Sequence, residues 1–270
     1  MLMVVKNILN NIKFLCVAVK CSIKSAVEYK ISFLTQSVLM FVNNIVWLIF
    51  WSIMFNVNGS NINGVTFNTI LYLWSLPVIS FGISYFFFGG IDNINSYMIT
   101  GQFDSYMLQP KYPLLNVMTS KCNFSAFGDM LYGLVIGLFA VNFDLVKYII
   151  LVVFGILGAV IYISTSIIIR SLSVWLGDTE IIANKYVGTL LTTFSVYPEQ
   201  LFKGIVKILL YTVIPVGYMA YMPINFVITF NPKYLVLTLI GCTFFTALSI
   251  VIFNKAMKSY ESGNTISMRN

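Results

Sequence analysis

The sequence predicts an all-α integral membrane protein of six transmembrane helices, and three observations predict it. Of the 270 residues, 59% are apolar and 9% charged, whereas roughly a quarter of a water-soluble chain is charged. The mean hydropathy is +0.87. Apolar runs near the length of about 20 residues that a helix needs to cross hydrocarbon recur along the chain. The connections between them are too short for a separate soluble domain.

What is missing narrows the chemistry. The chain has no histidine, which excludes Ser-His-Asp and Cys-His catalysis and any metal site that uses imidazole. None of its 17 glycines is followed by lysine, so the Gly-Lys-Ser/Thr ending of a phosphate-binding loop is absent. Cys16, Cys21, Cys122 and Cys242 show no Cys-x-x-Cys spacing. They read as small apolar fillers, not as a metal knuckle or a disulfide framework.

Residues 1–30 carry Lys6, Lys13, Lys20, Lys24 and Lys30 against the single acid Glu28. The first long apolar run starts only after them, unlike a signal peptide. At 100° per residue, Lys6, Asn10, Lys13, Lys20 and Lys24 share one stripe, with Val4, Ile8, Ile12, Leu15 and Val19 opposite. This is the pattern of an amphipathic helix lying in the cytoplasmic membrane surface; a basic tail that only sets orientation is the plainer alternative. Residues 31–270 then form a single transmembrane domain.

Span one covers about 33–56, with Trp47 and Trp51 toward its far end, where amphipathic rings favour the interface. The uncharged, turn-rich stretch 57–66 is an outer loop. Span two, about 67–89, contains Pro77, which removes a helical donor. Span three, about 124–141, has Gly133 and Gly137 in a spacing that permits close helix packing. Span four, about 146–176, is longer than hydrocarbon requires, so Arg170 and Trp175 are expected at the cytoplasmic interface. The last span covers about 233–253.

Between residues 177 and 232 two readings stand. Either 181–197 is a short fifth span and 201–228, interrupted by Pro215 and Pro223, is a re-entrant helical pair; or 205–228 is the fifth span and 181–203 lies on the inner surface. Lys and Arg accumulate on the cytoplasmic side of membrane proteins. The first reading puts twelve on the side of the termini and four opposite, and the second gives fourteen and two. Both place the termini in the cytoplasm.

The longest polar connection is the cytoplasmic stretch 90–121. Ile91, Ile94 and Met98 repeat at helical spacing, Asp92 is placed to cap that helix and Gly101 to end it. Phe103, Asp104, Tyr106, Leu108 and Pro110 follow, a mix of aromatic, acidic and rigid residues that a plain connection does not require.

At these residues the chain resembles a known family. Gly-x-Phe-Asp-x-x-Met-Leu-x-Pro at 101–110, Tyr197-Pro198, Ile214-Pro215, Met222-Pro223 and the closing Tyr260-Glu261-Ser262-Gly263-Asn264 look like the six-span permease subunits of bacterial type 2 ABC exporters. The likeness covers essentially the whole chain, and it rests on the order and spacing of motifs. It implies a half-transporter that works as a dimer, homodimer or heterodimer, with a second permease and with separate ABC ATPase subunits beneath. ATP and Mg would sit on those subunits, leaving this chain without a cofactor, a metal or an enzymatic activity of its own. The resemblance makes Asp92, Ile94, Met98, Gly101, Phe103, Asp104, Leu108 and Pro110 the ATPase-coupling element. It favours the re-entrant reading of 201–228, with breaks at Pro198, Pro215 and Pro223. The partners it implies are these subunits and membrane lipid, with no nucleic acid.

Asp129 is the one acid inside an apolar span. It lies about five residues, or roughly 7 Å, from the cytoplasmic end of span three. An intramembrane acid points to function, although a hydrogen-bonded structural role, or a pair with Lys121 or Arg170, accounts for it equally well. A six-span secondary transporter or channel is the alternative function, but such proteins generally need several intramembrane acids or unwound polar segments. An intramembrane enzyme would need a nucleophile and a base facing each other in the membrane, which the lack of histidine and the scarcity of buried acids argue against. The spans, rich in Phe, Tyr, Ile and Met, suit an amphipathic or hydrophobic cargo. Fourteen lysines against two arginines suggest an AT-rich genome and a bacterial plasma membrane.

Overall fold

The computed structural model describes residues 2–59, 61–62 and 64–261. Residues 262–264 of the closing motif, and Arg269, lie outside them. Helix α1 (Leu2–Glu28) meets α2 (Lys30–Asn58) at a single turn residue, Tyr29. The expected outer loop contains a two-stranded antiparallel hairpin, β1 (Asn61–Ile62) and β2 (Val65–Thr66). The Thr66 hydroxyl then accepts the Thr69 N–H and caps α3 (Phe67–Phe88), which runs unbroken through Pro77. A 3-10 turn (Gly89–Asn93) leads to three short helices, α4 (Ile94–Thr100), α5 (Phe103–Met107) and α6 (Pro113–Met118). Helices α7 (Ser125–Ala140) and α8 (Leu145–Ser171) follow, the second capped by Asp144 accepting the N–H groups of Val146 and Lys147.

The end of the bundle that carries residues 89–123 is called the base here, and the opposite end the top. Helix α9 (Ser173–Leu176) lies at the base. A continuous helical stretch then rises from it, made of α10 (Glu180–Ala183), a π segment (Asn184–Leu191) and α11 (Thr192–Val196). Next come α12 (Gly204–Thr212), a π turn (Gly217–Tyr221), α13 (Met222–Thr229) and the long α14 (Pro232–Ser259).

The region between α11 and α14 is bent by 78° between α12 and the stretch 217–229. Both ends of this bent pair lie at the top. Phe202 packs edge-on against Phe194, and the Lys147 ammonium lies 5.8 Å from the Phe230 ring centroid. The bend reaches inward, where the Val213 carbonyl accepts the Tyr186 hydroxyl. Pro198 follows the end of α11, and Pro215 sits in the bend, as expected of breaks. Pro223 is different: it occupies the first turn of α13, and the helix passes through it. The π turn immediately before it relaxes the backbone where proline has no N–H to give and its ring crowds the preceding turn.

Four of the described helical stretches are long and apolar enough to cross a membrane: α2, α3 with its extension to Thr100, α8 with α9, and α14. The bent pair is a fifth if taken as one crossing. Helix α7 is apolar over only 16 residues. Exposed apolar residues line whole faces, such as Leu145, Ile149, Val153 and Ile156 on α8 and Val236, Ile240, Phe244 and Val251 on α14. Surfaces of this extent belong in lipid, and the chain is an all-α integral membrane protein.

Helix α3 is the central post, largely buried along its length, whereas α2 is mostly exposed. Its most intimate neighbour is α7, and glycines on both helices make the approach possible. A Cβ on Gly82 would stand 2.6 Å from the backbone nitrogen of Met130, and one on Gly133 2.7 Å from Ile79 Cγ1. The Gly133 spacing read from the sequence is therefore used for packing. Gly82→Val and Gly133→Val should each lower the thermal midpoint of the extracted chain by the equivalent of about 1–3 kcal/mol. Gly188→Ala, where the helix interior has open space for a Cβ, should hold or raise the midpoint in the same melting series; an unchanged midpoint for Gly82→Val would mean that α3 and α7 do not meet this closely.

Candidate functional site

The base is built on a small apolar cluster of its own. Ile91, Ile94, Met98, Phe103, Leu114 and Val117 are buried together with Ile167 of α8 and Phe253 of α14. Gly101 ends α4 in the left-handed region at φ 75°, as expected of a glycine cap. The turn delivers Phe103 into the cluster, 6.1 Å from the Phe253 ring and 5.9 Å from that of Tyr260. Two motifs distant in sequence, at 101–110 and beginning at Tyr260, thus meet in one place. Burial and the neighbouring Asp104 carboxylate push the Tyr260 hydroxyl well above its ordinary pKa.

Two expectations for this segment are corrected. Ile94 and Met98 do not form an outward face for another subunit; they are 0% and 1% exposed within this chain. Helical periodicity identified an apolar face but not what covers it. Asp92 does not cap α4, whose N-cap is Asn93 without a side-chain bond. Instead, Asp92 Oδ1 accepts from Arg170 Nη2 at 2.6 Å and from the Tyr85 hydroxyl at 3.3 Å.

Arg170 is the third correction: it is not an interfacial anchor but is 1% exposed. Its guanidinium donates to the Asp92 carboxylate, the Asp92 carbonyl at 3.0 Å, Asn184 Oδ1 at 2.9 Å and Ser166 Oγ at 3.3 Å. A planar fork with five donors suits such a multi-element junction, where a lysine would not. A second junction lies beside it. Asn95 Nδ2 donates to Asp178 Oδ1 at 3.1 Å, and the backbone N–H of Glu180 donates to the same oxygen at 2.9 Å. These bonds, the backbone one first, hold the Asp178 carboxyl below the usual carboxylate range. The base segment is thereby tied twice to the foot of the helix 180–196. The sequence carried one signal for this, a lone arginine within an apolar run, and none for Asn95, Asp178 or Asn184.

The exposed part of the base lies further along. Leu108 is 88% exposed, Met107 and Tyr112 are also open, and Pro110 stands between them. They form an apolar knuckle joining α5 and α6.

Asp129 pairs with neither Lys121 nor Arg170. Its Oδ1 accepts Asn44 Nδ2 of α2 at 2.6 Å, while its Oδ2 is buried with no hydrogen-bond partner. Lys121 lies before α7 starts and Arg170 is fully engaged elsewhere, so the hydrogen-bonded reading is the one the geometry supports. Asp129 lines a cavity of about 420 Å³ between α2, α3, α7, α8 and the upper part of 180–196. Trp47 and Trp74, stacked with centroids 5.8 Å apart, lie on its wall. Among the described residues there is no group of His, Cys, Asp and Glu able to hold a metal.

Asp92→Ala should cost about 2 kcal/mol, the worth of a hydrogen bond to a charged group in a partly exposed pair. Arg170→Leu should cost more alone than in the Asp92→Ala background, with a coupling of at least about 1 kcal/mol. Denaturant unfolding of the four proteins measures it. Strict additivity would mean the pair contributes nothing.

Comparison with known families gives one match, to the ABC-2 family transporter protein family over residues 41–264. Neither the curated proteins nor the solved structures compared with the chain give a match. The matched stretch includes α3, the base segment, the bent pair and α14, so the chain belongs to the ABC-2 transporter family and is an ABC transporter permease.

Proposed function

We propose that this permease is the membrane half of an exporter that moves an amphipathic or hydrophobic compound out of a bacterial cell, driven by ATP hydrolysed on separate subunits. One observation carries the reading. The base segment is tied through Asp92–Arg170–Asn184 and Asn95–Asp178 to a helix whose other end, from Gly188 to Tyr197, lines the cavity. Displacing the base therefore displaces the cavity wall, which is what a motor acting from below requires.

The chain is no enzyme in this reading, and ATP and Mg belong to the partner ATPase. The ATPase seats on the knuckle of Met107, Leu108 and Pro110, while Ile94, Met98 and Phe103 make that knuckle stiff from inside. Asp92 and Gly101 fix the segment, and Asp104 supports Tyr260. A second permease, identical or different, completes the pathway. Six crossings follow if the helix 180–196 is the fifth span and the bent pair dips in from outside. Its two ends at the top and its inward bend support that count. Helix α1 lies on the membrane surface beside the base, with Lys13, Lys20 and Lys24 exposed and Phe14 beneath the Lys111 ammonium at 6.0 Å.

Purification from native membranes should recover a stoichiometric subunit carrying a Gly-Lys-Ser/Thr loop, identified by mass spectrometry. Leu108→Asp together with Met107→Asp should abolish that recovery while the chain extracts and melts like the wild type, because both side chains face solvent. Ile94→Asp should instead cost several kcal/mol and prevent folding, since it buries a charge. Transport by the purified chain alone, without ATP, would refute the exporter reading.

Orientation is tested in a cysteine-free background. Thr66→Cys should react with an impermeant maleimide added to intact cells, and Ser105→Cys should react only after lysis. The opposite pattern would invert the topology.

A further inference from the structure

We propose that the cavity behind α2 is a binding site for a cationic amphiphile, with Asp129 as the group that recognises its ammonium. Three observations on the same wall carry this. First, Asp129 is 4% exposed, and the one carboxylate oxygen not held by Asn44 has no partner. Among the described residues the ion pairs are Arg170–Asp92 and Lys207–Glu199, and none of their cations neutralises it. A carboxylate with one empty side at this depth is costly. Tethering α2 does not explain it, since the Asn44 bond uses only Oδ1 and an asparagine would serve as well.

Second, no lysine or arginine lines the cavity, although the chain as a whole has a net charge of +7. Asp129 alone sets the sign of the field there, which favours cations and disfavours anions. Third, the stacked Trp47 and Trp74 offer the ring faces that bind ammonium groups best. Trp74 Nε1 is also buried without an acceptor. The ligand therefore carries an ammonium for the carboxylate and an apolar body for the remaining wall. A volume of about 420 Å³ falls within the range of small-molecule sites, roughly 300–1,000 Å³.

Calling this ligand cargo rests on the export reading; the binding itself does not, so it is measured on the permease chain alone. The full chain is placed in discs of zwitterionic lipid and titrated with decylammonium, decanol and decyl sulfate, with empty discs subtracted. Decylammonium should bind saturably and at least about tenfold more tightly than the other two. Asp129→Asn, which keeps the bond to Asn44, should lose about tenfold or more for decylammonium and leave decanol unchanged. Equal affinity for all three probes, or an Asp129→Asn variant that binds decylammonium like the wild type, would overturn the proposal. An intact cation site in a chain that recruits no ATPase would leave it standing and remove only the cargo role. Melting of Asp129→Asn close to the wild type confirms that its loss of binding is not a loss of fold; if the variant does not fold, Trp74→Phe replaces it and must weaken decylammonium more than decanol.

Discussion

A guanidinium taken out of water has to find acceptors for its N–H groups, and at Arg170 they come from three different parts of the chain. Its own helix supplies Ser166, the turn after α3 supplies the carbonyl and carboxylate of Asp92, and the start of the helix 180–196 supplies Asn184. Leaving any of these unmet inside the protein is costly. The charge therefore fixes where those segments stand relative to one another. The cluster of Ile91, Ile94, Met98, Phe103 and Phe253 packs against the frame so defined, and the Phe103 and Tyr260 motifs meet because that frame brings them together. Tyr85 and Tyr162 extend it upward, their hydroxyls 3.4 Å apart, with Tyr162 also within reach of the Val187 carbonyl.

Above this frame the packing changes character. Serines replace charges as the means of cross-helix contact, Ser80 donating to the Gly155 carbonyl and Ser84 to that of Ala159, both of α8. Together with the glycine contacts to α7, they let α3 be enclosed on most sides. Without a hydrophobic driving force between helices in lipid, close approach and such hydrogen bonds are what hold a bundle. Helix α3 thus forms one body with α7 and α8, to which the base is locked.

Four of the crossing helices, α2, α3, α8 and α14, were legible because span length and apolar composition are local properties, and so was the Gly101 cap, since a left-handed residue at a helix end selects glycine. The Gly133 contact was legible as packing for the same reason. Ile94 and Met98 were misassigned because periodicity reports a face and is silent on its partner, and the partners are Ile167 and Phe253, more than 60 residues away. Asp92 stands where the spacing of Ile91, Ile94 and Met98 calls for a cap, whereas its bond joins it to Arg170 of α8. Asn44 gives no signal in the sequence beyond being a polar residue in an apolar span, because its role depends on Asp129, 85 residues away. Pro223 misled because a proline is a break only where the preceding turn cannot widen, and here it does.

Helix α2 packs on the outer side of the body that the Arg170 frame holds, chiefly against α7. Its contacts with the rest of the bundle include the hydrogen bonds of Ser37 to the Phe124 carbonyl at 3.1 Å and of Asn44 to Asp129 at 2.6 Å, the Trp47–Trp74 stack and aromatic contacts such as Phe33 with Phe127. Most of its remaining surface is exposed. A rearrangement that widens the cavity at α2 must therefore break these contacts and the close approach of Gly128 of α7 to the Ser37 carbonyl, whereas at the base a buried charge would lose its acceptors. The two stronger α2 contacts both lie on the cavity wall. A ligand that engages Asp129 or the tryptophans acts on the same groups that hold α2 in place, so occupancy of the cavity and the position of α2 are coupled through shared atoms, without any relay across the protein.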